Sequence, residues 1–196
     1  LANHRREWIG FFTDRWAGLW RKVADALHAT GKELVVNNAW TRDPFESIYR
    51  FGIDYRKLAD AGIDVLVVES VAAGMNLLNG PPDRHHDYLT TILLIGACVP
   101  DVKVLFLHGL RDSTEQWDVL RHAPMVLEKE IYSFPNLYTL GGDGRLHRCV
   151  DGFLACLADG INNEEWRWLK DRWDLGFSTR PERILGATVV WSNAAL

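Results

Sequence analysis

One pattern restricts the possible folds of this chain more than any other. A helical stretch with an aromatic face, a glycine, a short β-branched run and then a polar residue follow one another in that order, several times over. The clearest instance ends in Ile63-Asp64-Val65-Leu66-Val67-Val68-Glu69. A continuous apolar run bounded by turn residues is what a strand buried on both faces requires, and parallel strands are buried in that way. Because the run ends in a carboxylate, Glu69 is expected at the open end of a buried parallel strand.

The first helical pattern carries Trp8, Phe11, Phe12, Trp16, Leu19, Trp20, Val23 and Leu27 at steps of three and four, and predicts a helix over about 6–29 that Gly31 ends. A strand at 33–38 follows, then a loop through Trp40-Thr41-Arg42-Asp43-Pro44-Phe45-Glu46. Next come a short helix near 54–61, closed by Gly62 in a left-handed cap, and the strand 63–69. A loop rich in Gly, Asn and Pro over 74–82 leads to an apolar helix at 83–98 and a strand at 102–108. Ser113-Thr114-Glu115-Gln116 has the form of a capping box for a further helix, which Pro124 is expected to split or kink. Residues 137–150 break the rhythm: two short runs flank Gly141-Gly142-Asp143-Gly144 and predict a β-hairpin. The units resume with a strand at 152–158, a helix capped near Asn163 that carries Trp166, Leu169, Lys170 and Trp173, and a last strand at 184–192.

Strand starts near 33, 63, 102, 152 and 184 are separated by about 30 to 50 residues, against roughly 31 per unit in a (β/α)8 barrel of about 250 residues. The expected fold class is therefore α/β: a partial (β/α)8 TIM barrel with a β-hairpin insertion near 137–150, in a single, incomplete barrel domain over 1–196. The alternative is an open doubly wound sheet. Neither GxGxxG nor GxxxxGK[ST] follows any strand, so the nucleotide-binding version of that sheet has no local support. The sequence has no initiating Met and ends just after an apolar run, and it reads as a piece of a longer chain.

At 196 residues, 47% hydrophobic and 24% charged, the chain can bury a sizeable core. Its net charge of -4 gives no electrostatic reason to bind nucleic acid, which relies on clustered Lys and Arg, while a neutral substrate such as a sugar is compatible. No run approaches the roughly 18 apolar residues of a membrane span, so no membrane partner is expected. Cys98, Cys149 and Cys156 are odd in number and lack CxxC spacing, and all three are expected to be free and structural. The adjacent histidines of His85-His86-Asp87 diverge on a helix, unlike a metal-binding i, i+4 pair, and no metal or other cofactor is expected.

Chemistry in α/β barrels gathers at the C-terminal ends of the strands. Those ends offer Asn37, Asn38 and Trp40; Glu69 and Ser70; His108, Arg111 and Asp112; Asp159; and finally Trp191, Ser192 and Asn193. Carboxylates serve proton transfer or nucleophilic attack, amides bind hydroxyls, and indoles lie against the C–H faces of pyranoses. Glu69 is the first catalytic candidate. Asp159 occupies the corresponding place on a later unit, although Asp-Gly is also a common turn dipeptide. Asn37, Asn38, Trp40, His108 and Trp191 are expected to line a substrate pocket. Each has an ordinary reading beside it: an Asn bonded to nearby backbone, a core Trp, a hydrogen-bonded structural His.

With these residues in place, the chain resembles the catalytic barrel of bacterial glycoside hydrolases and, more distantly, those with two carboxylates at the ends of barrel strands four and seven. The likeness is carried by Arg6-Glu7-Trp8 through Asp14-Arg15-Trp16, by Val36-Asn37-Asn38-Ala39-Trp40-Thr41-Arg42-Asp43-Pro44-Phe45-Glu46, by Val68-Glu69-Ser70 and by Val190-Trp191-Ser192. It implies hydrolysis of the O-glycosidic bonds of a carbohydrate, with Glu69 as nucleophile or base. The resemblance places the general acid before Leu1, with Asp159 as the alternative, and sets Trp191 under the reactive sugar. Counting from the first helix makes 102–108 the seventh strand and puts Glu69 on the sixth; the other count makes the strands at 152 and 184 seven and eight. Two further classes stay open: a non-catalytic carbohydrate-binding barrel, and a metal-dependent hydrolase using His108, Asp112 and Asp159.

Overall fold

The computed structural model describes residues 4–39, 44–69, 84–114, 116–188, 190 and 192, and at 39, 44–45, 69, 84–88, 117 and 156 the backbone alone. In chain order the elements are α1 (Arg5–His28), β1 (Val35–Ala39), α2 (Pro44–Phe51), α3 (Tyr55–Asp60), β2 (Val65–Glu69), α4 (Arg84–Cys98), β3 (Lys103–Asp112), β4 (Trp117–Asp118), α5 (Val119–His122) and α6 (Pro124–Ser133). A 3₁₀ turn over Phe134–Asn136 then leads to β5 (Tyr138–Leu140), β6 (Leu146–Arg148), β7 (Gly152–Ala158) and α7 (Asn163–Phe177). The class is mixed α/β, and the hairpin expected near 137–150 is present as β5 and β6.

Local chemistry accounts for most boundaries. Asp54 caps α3 by accepting from the Arg56 and Lys57 amides, and Gly62 leaves that helix at φ 92°, a conformation strained for any L side chain. Asn162 and Glu165 form a reciprocal capping box at the start of α7. Pro124 opens α6 and separates it from α5, because proline has no amide to donate and is tolerated in a first turn.

Strands β1, β2, β3 and β7 are parallel and lie side by side in that order, so their spatial order repeats their chain order without reversal. Right-handed crossovers in sequential order send every connecting helix to the same face. The packing agrees. Leu34 and Val36 meet Ala24 of α1 and Leu58 of α3; Leu66, Val68, Val104 and Phe106 meet Ile92 and Ile95 of α4; Leu110 meets Leu127 and Ile131 of α6 and Leu169 of α7. Register makes Val36, Leu66 and Val104 one row and Asn38, Val68, Phe106 and Phe153 the next, so these clusters share one face. The opposite face is covered less completely, with Val35 of β1 55% exposed and Leu154 of β7 45% exposed.

Two aspartates pin the N-terminal ends of neighbouring strands. Asp64 accepts from the Leu34 amide at 2.7 Å and from His28 Nε2 at 2.8 Å, contacts that hold its carboxyl below the usual range, with the Leu34 amide the larger cause. Asp151 accepts from the Val104 amide at 2.9 Å. Cys98 and Cys149 are free and buried, as expected, and burial pushes the Cys149 thiol up to about 12; the side chain of Cys156 lies outside the described residues.

Four sequence expectations are corrected. The stretch read as a loop through Glu46 is helical from Pro44 onward. Strand β3 runs four residues past His108 to Asp112, because β4 pairs with Arg111 and Asp112 and prolongs the ladder. The capping box at 113–116 starts no helix; the chain turns there, with Gln116 at φ 60°, and α5 begins after Asp118, whose carboxylate accepts from the Arg121 amide. The described residues of 184–192 form no strand, and Ile184, Leu185 and Val190 are exposed. An apolar run becomes a strand only where a neighbouring ladder receives it.

Candidate functional site

The C-terminal edge of the parallel sheet is formed by Ala39, Glu69, Asp112 and Ala158, the last residues of β1, β2, β3 and β7. Glu69 stands there as expected, paired through its backbone with Ala39; its side chain lies outside the described residues. Trp40 and Trp191 also lie outside the described residues.

Asn37 and Asn38 are split by the pleat of β1, since successive strand residues face opposite ways. Asn38 is buried on the helix-covered face in the row of Val68 and Phe106, whereas Asn37 is exposed in the row of Val67 and Leu105. Only Asn37 is placed for a ligand on the open face.

His108 is not at the rim. With β3 continuing past it, the imidazole lies between the sheet and α6, 1% exposed, its ring 5.1 Å from that of Phe134 and 5.8 Å from that of Phe153. Nδ1 approaches Glu130 Oε2 at 3.6 Å, close enough for an ion pair. Burial works against it: Glu130 is fully buried as well, and desolvation pushes the His108 pKa down to about 4, so the ring is neutral at ordinary pH. This is the ordinary structural histidine rather than the substrate-binding one.

Asp159 follows β7 and is captured by the neighbouring strand end. Its Oδ2 accepts from Ser113 Oγ at 2.8 Å and from the Ser113 amide at 3.3 Å, and these bonds hold its carboxyl below the usual carboxylate range. Asp112 is buried and accepts from the Thr114 amide at 2.7 Å.

Beside these lies a charge network that the strand-end reading did not foresee beyond Arg111. Arg111 Nε is 3.2 Å from Asp118 Oδ2, and its Nη1 donates to the Gly160 carbonyl. Gly160 has φ 63°, a left-handed conformation that favours glycine, while a Cβ there would meet only the movable tip of the Arg111 side chain. Arg121 donates to both carboxylate oxygens of Glu165, which that bond and the Asn162 amide pull down to about 2. The one signal available in the sequence was the capping box at the start of α7, whose Glu165 does double duty.

With their pKa values lowered by these bonds, Asp159 and Glu165 stay ionised and are poor proton donors near neutral pH. The β3–β7 end of the rim is thus self-satisfied, while β2 brings the backbone of Glu69 to the same edge and β1 turns Asn37 to the exposed face. Among the described residues no three His, Cys, Asp or Glu side chains gather as a metal ion requires, so His108, Asp112 and Asp159 share no centre. No protein-family model, curated protein or solved structure matches this chain.

Proposed function

We propose that the chain contributes consecutive units of a (β/α)8 barrel of glycoside hydrolase type, with Glu69 as nucleophile or base and Asn37 binding substrate hydroxyls. One observation carries the reading: four parallel strands in sequential order, helices on a single face, and a glutamate ending the second strand at the C-terminal edge. Doubly wound sheets reverse their strand order at the ligand site and are covered by helices on both faces, which does not suit this arrangement. The reaction would need a second carboxyl roughly 5 to 5.5 Å from Glu69 for retention or roughly 6.5 to 9.5 Å for inversion.

Hydrolysis of a panel of aryl glycosides and oligosaccharides by the full-length protein, wild type beside Glu69→Gln, tests this directly. Loss of at least ~100-fold in kcat on the Gln variant is expected; equal turnover by the two proteins removes Glu69 from the chemistry. The capture of Asp159 by Ser113 favours a second reading, a carbohydrate-binding barrel without turnover, for which sugar binding persists and no glycoside is cleaved.

A further inference from the structure

Strand β7 departs from regular alternation near its C-terminal end. Along it, Phe153 packs edge-on against Trp173 of α7, and Ala155 joins the Leu110 cluster on the helix-covered face. Period-two alternation would send Leu157 to that same face. Instead Leu157 has φ 50°, is 45% exposed, and the next residue, Ala158, packs on the Leu110 cluster in its place.

Left-handed backbone is costly for a leucine and cheap for glycine or asparagine. At Leu157 it accompanies a large apolar side chain that is exposed near the C-terminal end of β7. Non-glycine residues held in this region cluster at ligand sites, where the strain serves placement.

We propose that Leu157 is a specificity-determining residue, an apolar contact for a sugar ring beyond the one attacked at Glu69. The inference rests on the glycosidase reading above and specifies that the substrate is an oligosaccharide. Register places Val68, Phe106 and Phe153 in one row, so Leu157 stands two strands across and three residues beyond Glu69. At strand spacings of about 4.8 Å and rises of about 3.3 Å, the two Cα atoms are roughly 14 Å apart. That lies outside the reach of the reacting ring and over the rings that follow it. Pyranose rings present C–H faces that an apolar side chain can cover, while their hydroxyls stay in water or on amides such as Asn37.

The test uses two variants and two substrates of the same sugar, an aryl monoglycoside and a trisaccharide or longer chain. Leu157→Asn keeps a residue that tolerates the left-handed backbone and removes the apolar surface. It should lower kcat/KM on the oligosaccharide about tenfold, through KM, and leave the monoglycoside unchanged; a residue placed only for folding would not separate the two. Leu157→Gly should show the same selectivity and a Tm raised by ~2–4 °C from relief of strain. Equal effects on both substrates, no effect on either, or a lower Tm for Leu157→Gly overturns the assignment of Leu157. Absence of any hydrolysis by the wild type overturns the glycosidase reading and this inference with it, whereas hydrolysis with unaltered chain-length selectivity in Leu157→Asn overturns the inference alone.

Discussion

Burial of the His108 imidazole beneath α6 couples the stability of the fold to pH. In the unfolded chain this ring takes up a proton as pH falls through about 6.5, and in the folded protein only near 4. Between those values the unfolded state binds more protons, so the stability is complete above about 6.5 and is lost as pH falls toward 4, at up to ~1.4 kcal/mol per pH unit. Denaturant unfolding at neutral pH and near pH ~5 should show a smaller acid loss for His108→Gln than for wild type; equal losses would mean that the folded protein accepts the charge on His108. Residue type and position made Asp159 a catalytic candidate and His108, Asn37 and Asn38 pocket candidates, and the structure sets the four in different surroundings. That the period-two pleat sets Asn37 and Asn38 on opposite faces was readable in the sequence, but which of the two faces the helices cover was not. The capture of Asp159 by Ser113 joins residues 46 apart and was not.

At the scale of elements, local chemistry and tertiary pairing divide the outcome between them. Helix α7 starts where its Asn162–Glu165 box dictates, and Asn162→Ala should cost ~1 kcal/mol, a fall of ~2–4 °C in Tm measurable by calorimetry. An unchanged Tm would mean that Arg121, which also grips Glu165, suffices to hold the helix end. Helix α1 was legible as a helix but not by its inward face. The residues it buries are Thr13, Ala17 and Ala24, small enough to let the helix sit close to α3 and β1, while Trp8, Phe11 and Leu19 of the aromatic stripe stay about half exposed. Strand β3 outran its predicted end, and the run at 184–192 failed to become a strand, for one reason: a strand's extent is set by the ladder beside it, and β4 and β7 supply that ladder at Arg111–Asp112.

For the molecule as a whole, sequential parallel order leaves β1 and β7 as the two outer strands of the sheet, with unpaired backbone along one side of each among the described residues. Exposed parallel edges invite pairing with other chains, more so beside apolar side chains such as Val35. Sedimentation at rising concentration should reveal self-association of the 196-residue chain that Val35→Lys weakens severalfold; a monomer at every concentration would show that these edges are protected. The sequence by itself determined the α/β class, the helix at the start of the chain, the hairpin at 137–150 and the arrival of Glu69 at a strand end, because each depends on periodicity, caps and turn residues within a few positions of one another. Only the tertiary structure decided the sequential strand order with its single helix-covered face, the burial of His108, the bonding of Asp159 to Ser113 and the outward turn of Leu157. Those follow from which strand lies beside which, and contacts between residues far apart in the chain leave no local mark on it.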